Sequence, residues 1–294
     1  MAPDPSDAVS YLDGDFLPLS EARVHPLDRG FVFGDGLYEV VKVIGGEVVL
    51  WDEHAERLER GLEVVRIRLP GGRRELARIC AELLERGGFH APGSGAGDGS
   101  VYLQVTRGAG PREKVPPTEW RPTVFAFARR HAHDGPAARP LAAVTYPDLR
   151  WGRCDVKTVS MMATVLGKLA VRDAGADEVL FVADGDIVRE GGSTAFLVVQ
   201  DGALRTHPQD HHVLPSVTRA ALAAVAREAG VAVVEEAPRL SERGRWQEAI
   251  LCGTLTGVQP VASLDGEPLP TGPLARRLGE ACAAFEREHR TRLG

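Results

Sequence analysis

Two Asp-Gly pairs, Asp184-Gly185 and Asp201-Gly202, separate short apolar runs in the second half of this chain: EVLFVAD, DIVRE, TAFLVVQ and ALRTH. Asp-Gly supplies the two positive φ angles of a tight turn, so these runs are expected to be strands joined as hairpins. LAAVTYPD opens this region, and a strand EAILCG leads into the turn GTLTG. Helices are interleaved: one is expected from about 160 to 173, another from 217 to 229 with Ser216 as N-cap and Gly230 as stop.

The first half, from 11 to about 129, reads as mixed α+β. Short strands flank the turn in LDGDFLPL, and Gly45-Gly46 marks a hairpin inside LYEVVKVIGGEVV. Asp52 is expected to cap a helix with the apolar stripe Ala55, Leu58, Leu62 and Val65, and a second helix spans about 73 to 85. The glycine-rich stretch 87–100 lacks the frames of a phosphate loop and reads as surface loop. Strands SVYLQVTRG and TVFAFARR follow. The segment 131–140, HAHDGPAARP, reads as a linker, which sets domains at 1–130 and 141–294.

A chain of 294 residues with 44% hydrophobic and 26% charged residues is globular, of two domains or one large one. A net charge of −6 gives no electrostatic footprint for nucleic acid. Cys80, Cys154, Cys252 and Cys282 show no CxxC spacing and read as reduced thiols. The polar, acidic start MAPDPSDAVS is not expected to be a signal peptide, and no apolar run approaches a membrane span, so a cytoplasmic location is expected. His131, His133, His211 and His212 occur in pairs without HExxH or a cysteine partner, so no metal site is expected. His54 reads as a packing or hydrogen-bonding residue of its helix.

Only four lysines occur among 35 basic residues: Lys42, Lys114, Lys157 and Lys168. Lys157 is placed at the end of a strand, between Val156 and Val159 and just before a helix. A nucleophilic lysine needs partial burial or a cationic neighbour; the alternative is a structural lysine whose head reaches water. Lys168 reads as a solvent-side helix residue, and Lys42 as the ion-pair partner of Glu39. Glu190 stands at a strand-to-loop break before Gly191-Gly192, where a ligand can approach closely. It is a candidate for the carboxylate beside a pyridine nitrogen, or else an exposed turn residue. Val217 and Thr218 open a helix, whose free N–H groups suit a phosphate. Thr254 lies in a second small-residue turn, and Arg57 offers a cation.

These stretches resemble the fold-type IV pyridoxal-phosphate enzymes, and within them the bacterial D-amino-acid aminotransferases. The matching segments are RGFVFGDGLYEVVKV (29–43), VYLQVTRGAGPR (101–112), DLRWGRCDVK (148–157), VREGGSTAF (188–196), VLPSVTR (213–219) and GTLTGVQPV (253–261), in the family's order. The resemblance implies a small N-terminal α/β domain, a larger C-terminal pseudo-barrel domain, and pyridoxal 5'-phosphate as cofactor. It implies that Lys157 carries the cofactor as a Schiff base and moves the proton at the substrate Cα. Glu190 would pair with the pyridine nitrogen, and Arg57, Val217, Thr218 and Thr254 would hold the phosphate. Ser193 and Thr194 match a serine-rich turn near the cofactor, and Leu214 a leucine against its ring. Tyr38 and Arg112 match residues that trap the substrate carboxylate. The implied reaction is ping-pong transfer of an amino group from a D-amino acid to a 2-oxo acid. In the family the arginine-bearing loop comes from the partner subunit, so a homodimer is implied.

The chain departs from the pattern in places. Lys114 stands where the D-amino-acid enzymes have a histidine, and is a candidate substrate contact. Gly192, Ala195 and Leu255 replace a serine, an asparagine and a threonine. Alternatives on the same fold are an (R)-selective amine transaminase, an aminodeoxychorismate lyase and a branched-chain L-amino-acid aminotransferase. The last group resembles FEGIR where this chain has LYEVVKV. A non-enzymatic cofactor-binding protein is the remaining alternative.

Overall fold

The computed structural model describes residues 8–90, 97–116, 118, 120–133 and 139–294. Parts of the expected loop 87–100 and linker 131–140 lie outside them. The chain divides into two compact units: Met1–His133 with Val156–Ser160 and His289–Gly294, and Asp134–Asp155 with Met161–Glu288. The second domain read from the sequence, 141–294, thus gives up two short segments to the first unit. Both do so through backbone pairing, which leaves no mark in side-chain periodicity.

In the first unit, β1 (Val9–Leu12) and β2 (Asp15–Pro18) form a hairpin. The one-turn helix α1 (Arg29–Phe33) follows, then β3 (Gly36–Ile44) and β4 (Glu47–Val49). Helices α2 (Trp51–Val65) and α3 (Gly72–Arg86) precede β5 (Gly99–Thr106) and β6 (Thr123–Arg130). Helix α1 was not expected; it is too short for an amphipathic period to show. Asp52 is not the N-cap of α2, which begins at Trp51 after Leu50 with φ 50° and no side-chain cap; Asp52 sits in the first turn.

The second unit contains β7 (Leu141–Pro147), α4 (Met162–Ala174), β8 (Glu178–Ala183), β9 (Ile187–Gly191), β10 (Ala195–Gln200) and β11 (Ala203–Thr206). It continues with α5 (Val217–Glu228), β12 (Val233–Glu235), β13 (Glu248–Gly253), β14 (Gly257–Leu264), β15 (Glu267–Pro268) and α6 (Pro273–Glu288). The short strand β16 (Arg290–Thr291) returns to the first unit and pairs with β4.

The first unit's sheet runs β16-β4-β3-β5-β6-β1-β2. Strand alternation sends Leu37, Val41, Val101, Leu103 and Ala126 to one face, where they pack with Leu58, Leu62, Leu76, Ile79 and Leu83 of α2 and α3. Ala55, Leu58 and Leu62 are buried as the stripe requires, and Val65 is half-buried. Tyr38, Tyr102, Phe125 and Phe127 share the opposite face, with Tyr102 stacked on both Tyr38 and Phe127.

In the second unit the strand order is β12-β11-β10-β13-β14-β7-β8-β9, and an added β9–β10 pairing closes six strands into a barrel. Closure leaves those six strands paired on both sides, with β12 as an edge beyond β11, and Phe196, Val198, Leu180, Val261 and Trp246 fill a core within this unit. Asp184-Gly185 and Asp201-Gly202 turn with positive φ, as the hairpin reading requires. Strands β7 and β8 are parallel, so the chain between them must cross over, and α4 is that crossover. Ser216 caps α5 by accepting from the Arg219 N–H at 3.2 Å. Among the described residues, no helix is long and apolar enough to cross a membrane.

Candidate active site

Strand β4 pairs only with the last residues of β3, leaving the Gly36–Val40 end of β3 open on that side. The segment Val156–Ser160 takes this edge. The Tyr38 N–H donates to the Lys157 carbonyl at 3.1 Å, Thr158 bridges Leu37, and the Val159 N–H donates to the Gly36 carbonyl at 3.0 Å. Lys157 therefore lies in a backbone-pinned loop rather than at the end of a strand, and α4 begins five residues later. Its half-buried ammonium stands 4.2 Å from the Tyr38 ring centroid. A cation over a ring face is held by the ring quadrupole.

On the other face of β3, Glu39 is 1% exposed and accepts from Arg57 Nε at 2.7 Å and Nη2 at 2.8 Å, and pairs with His54 Nδ1 at 2.9 Å. Burial would raise the Glu39 carboxyl, but the Arg57 and His54 charges and hydrogen bonds drive it far below the carboxylate range. Burial lowers His54, against the pull of Glu39. The expected Lys42–Glu39 pair is therefore replaced: three residues apart on a strand, the two side chains point to opposite faces. His54 is the hydrogen-bonding helix residue that the sequence suggested.

In the second unit Glu190 is the next-to-last residue of β9, buried to 5% exposure. It accepts from the Leu214 N–H at 3.0 Å and from Arg150 Nη1. Arg150 in turn binds Asp148 through Nε and Nη2, both at 2.9 Å, donates to the His212 carbonyl, and lies 4.6 Å over the Phe181 ring. Arg189 adds a second bond to Asp148 at 3.0 Å. Burial raises Glu190, opposed by Arg150 and the Leu214 amide. Burial would also raise Asp148, but its arginines outweigh it and the carboxyl is lowered. Arg150 and Asp148 escaped the sequence reading, although both lie in the DLRWGRCDVK segment.

The turn after Glu190 is tied to a buried carboxylate. Ser193 Oγ donates to Glu178 Oε2 at 3.3 Å and Thr194 Oγ1 at 3.2 Å, and Lys168 Nζ binds Glu178 Oε1. Lys168 thus serves an internal ion pair rather than a free solvent face. This turn packs closely on Gly253, where a Cβ would stand 3.0 Å from the Ser193 carbonyl oxygen. Thr254 lies in the β13–β14 turn, half-buried. Helix α5 packs on β13 and begins with buried Val217 and Thr218. Their N–H groups are in the first turn, where no preceding turn supplies an acceptor. Arg112 and Lys114 are exposed on the loop after β5, with the Arg112 guanidinium 5.6 Å over the Phe33 ring. Among the described residues no cluster of histidine, cysteine and carboxylate could hold a metal.

The first unit thus holds a half-buried lysine, and the second a buried carboxylate backed by an arginine and a helix N-terminus. The closed barrel and the relatives that follow make this chain a pyridoxal-phosphate-dependent transaminase of fold type IV. The chain belongs to the class IV aminotransferases, whose family model matches residues 36–264. It is 32% identical to a D-alanine aminotransferase of Staphylococcus haemolyticus over 92% of this chain and 95% of the relative. A D-alanine aminotransferase of Bacillus licheniformis is 31% identical over 92% and 94% of the two chains. Among solved structures, the branched-chain aminotransferase of Thermoproteus uzoniensis superposes with a TM-score of 0.84 at 21% identity, over 97% and 98% of the chains. A pyridoxal-phosphate-bound hypothetical aminotransferase of Mycobacterium tuberculosis gives 0.81 at 22%, over 96% and 99%.

Proposed function

We propose that this enzyme moves the amino group of a D-amino acid to a 2-oxo acid. The observation that carries this is its similarity to D-alanine aminotransferases along almost the whole chain. The branched-chain structures, near one-fifth identical, share the fold without bearing on the donor. When bound, the cofactor supplies an electron sink for the bond broken at the substrate Cα. Lys157 is the residue that holds the cofactor aldehyde and then takes the Cα proton as general base. Glu190 holds the ring nitrogen, with Arg150 opposing the rise that burial imposes on its carboxyl. Arg57, Val217, Thr218 and Thr254 bind the phosphate, Ser193 and Thr194 line the cofactor site, and Leu214 packs on the ring. Tyr38, Arg112 and Lys114 bind the substrate carboxylate.

The loop bearing Arg112 is read as serving the partner's site in a homodimer. An apolar row on the exposed face of α4, Met162, Val165, Leu166 and Leu169, supports a second copy of the chain. A monomer by sedimentation at assay concentration would remove the partner from this reading. The free, buried cysteines support a reducing, cytoplasmic setting.

The test is a half-reaction: the pyridoxal-phosphate enzyme is mixed with D-alanine or L-alanine, without acceptor, and the cofactor absorbance is followed. Conversion to the pyridoxamine form with D-alanine alone is expected. Conversion with L-alanine alone would favour a branched-chain type of donor, and conversion with neither an amine transaminase or a lyase.

A further inference from the structure

The segment RGFVFGDG at 29–36 has no role in the reading above, yet its first residue is deeply engaged. Arg29 is 4% exposed. Its Nε donates to Asp35 Oδ2 at 2.7 Å, Nη1 to the Glu113 carbonyl and Nη2 to the Lys114 carbonyl at 3.3 Å. The guanidinium lies 4.6 Å over the Phe33 ring and 5.7 Å from that of Trp120. We propose that Arg29 is a positioning residue: it fixes the loop carrying Arg112 and Lys114, and through that loop the affinity for the substrate carboxylate. This rests on the assignment of Arg112 and Lys114 to carboxylate binding.

The two carbonyls that Arg29 holds directly follow Arg112 in sequence, so the clamp sets the course of the chain itself and not one side chain. Phe33 is shared, with Arg29 and Arg112 both over its ring. Backbone bonds add register: the Arg29 N–H donates to the Gly108 carbonyl at 2.9 Å, the Gly110 N–H to Leu27 at 3.2 Å, and Asp28 bridges Ala109. A Cβ on Gly110 would collide with Trp120, which explains a glycine there. Asp35, the counter-ion, is itself held by Arg107 at 2.8 and 3.0 Å, and Arg107 reaches the Val65 carbonyl at the end of α2 at 2.7 Å. Burial would raise the Asp35 carboxyl, but both arginines overcome it and keep the acid charged.

Only a guanidinium meets this geometry. It offers five N–H groups in one plane, enough for a carboxylate and two carbonyls in different directions, and its flat faces stack on rings. A lysine has one nitrogen on a flexible stem and no plane to stack.

The experiment uses the holoenzyme and two readouts. Hydrogen exchange of the backbone amides at 112–115 is compared in wild type, Arg29→Lys and Arg29→Met. Both variants are expected to exchange there about tenfold faster or more, with α2 and β3 unchanged. In steady-state assays Arg29→Lys is expected to raise KM for D-alanine about tenfold and leave kcat within about twofold. In an Arg112→Ala background the same change should move KM by less than about twofold, since neighbours acting through one group are non-additive. Unchanged exchange at 112–115 overturns the clamp, and full additivity with Arg112→Ala overturns its link to the carboxylate. The exchange arm does not depend on the donor. If wild type uses an L-amino acid instead, the cycle is run on that donor, so a failed donor assignment is told apart from a failed clamp.

Discussion

The ammonium of Lys157 stands 4.2 Å from the centroid of the Tyr38 ring, and the backbones of the same two residues are hydrogen-bonded at 3.1 Å. The lysine is thus fixed twice, at its chain and at its tip. A general base in this position contributes on the order of 10²–10⁴-fold, and loss of covalent attachment adds to that. Lys157→Ala is therefore expected to reduce transamination at least about 10³-fold, with the cofactor still retained non-covalently. Single-turnover conversion by the variant at the wild-type rate would remove Lys157 from the chemistry.

Glu190 is buried, and burial favours its neutral form; Arg150 is the cation that resists this. Arg150→Gln removes the resistance, so the Glu190 carboxyl rises further and the carboxylate is lost at a higher pH. The acid limb of the kcat/KM profile is expected to move to higher pH, with Arg150→Lys intermediate. Superimposable pH profiles for wild type and variant would show that Arg150 does not govern Glu190.

The legible parts of the fold were those written in local chemistry. Asp-Gly and Gly-Gly turns marked the hairpins, and Ser216 marked the start of α5. Lys157 stood out as one of only four lysines, and Glu190 because Gly191-Gly192 follow it. What stayed hidden was written in distance. Arg150 is one arginine among many and shows its role only when the barrel sets it against Glu190. Glu39 lies three residues from Lys42 in sequence, but strand alternation turns it to Arg57 and His54 on α2. Val156–Ser160 joins the first unit through main-chain pairing with β3 and through Val156 in its core, contacts between positions far apart in sequence that local pattern does not show.

The Glu39–Arg57–His54 cluster is expected to govern acid stability. Both titrating groups are lowered on folding, so the unfolded chain binds more protons and stability falls as the pH drops. Their contribution is present above the ordinary values of 6.5 for His54 and 4.5 for Glu39, and is lost progressively below them. Glu39→Gln leaves a buried guanidinium without its counter-charge, at a cost of about 3 kcal/mol at pH 7. With His54→Gln in both chains to remove the second titration, denaturant unfolding at pH 7 and pH 4 should show the gap made by Glu39→Gln narrowing at the lower pH. A constant gap would locate the acid sensitivity elsewhere.

Thr218 is buried in the first turn of α5, two residues after the cap Ser216 and one before Arg219, whose N–H that cap accepts. The two residues separate phosphate binding from helix stability. Ser216→Ala removes the bond to the Arg219 amide and is expected to cost about 1 kcal/mol of stability, as a lost N-cap does. Thr218→Val preserves shape and leaves that cap intact, but removes a hydroxyl beside the open N–H groups. If the helix end holds the cofactor phosphate, this change should weaken binding of pyridoxal phosphate to the apoenzyme about tenfold, the scale of one hydrogen bond to a charged group. Thermal unfolding of the apoprotein should hardly change. Fluorescence titration of the apoenzyme with cofactor reads the first effect and calorimetry the second. Equal affinity in Thr218→Val and wild type would move the phosphate away from α5.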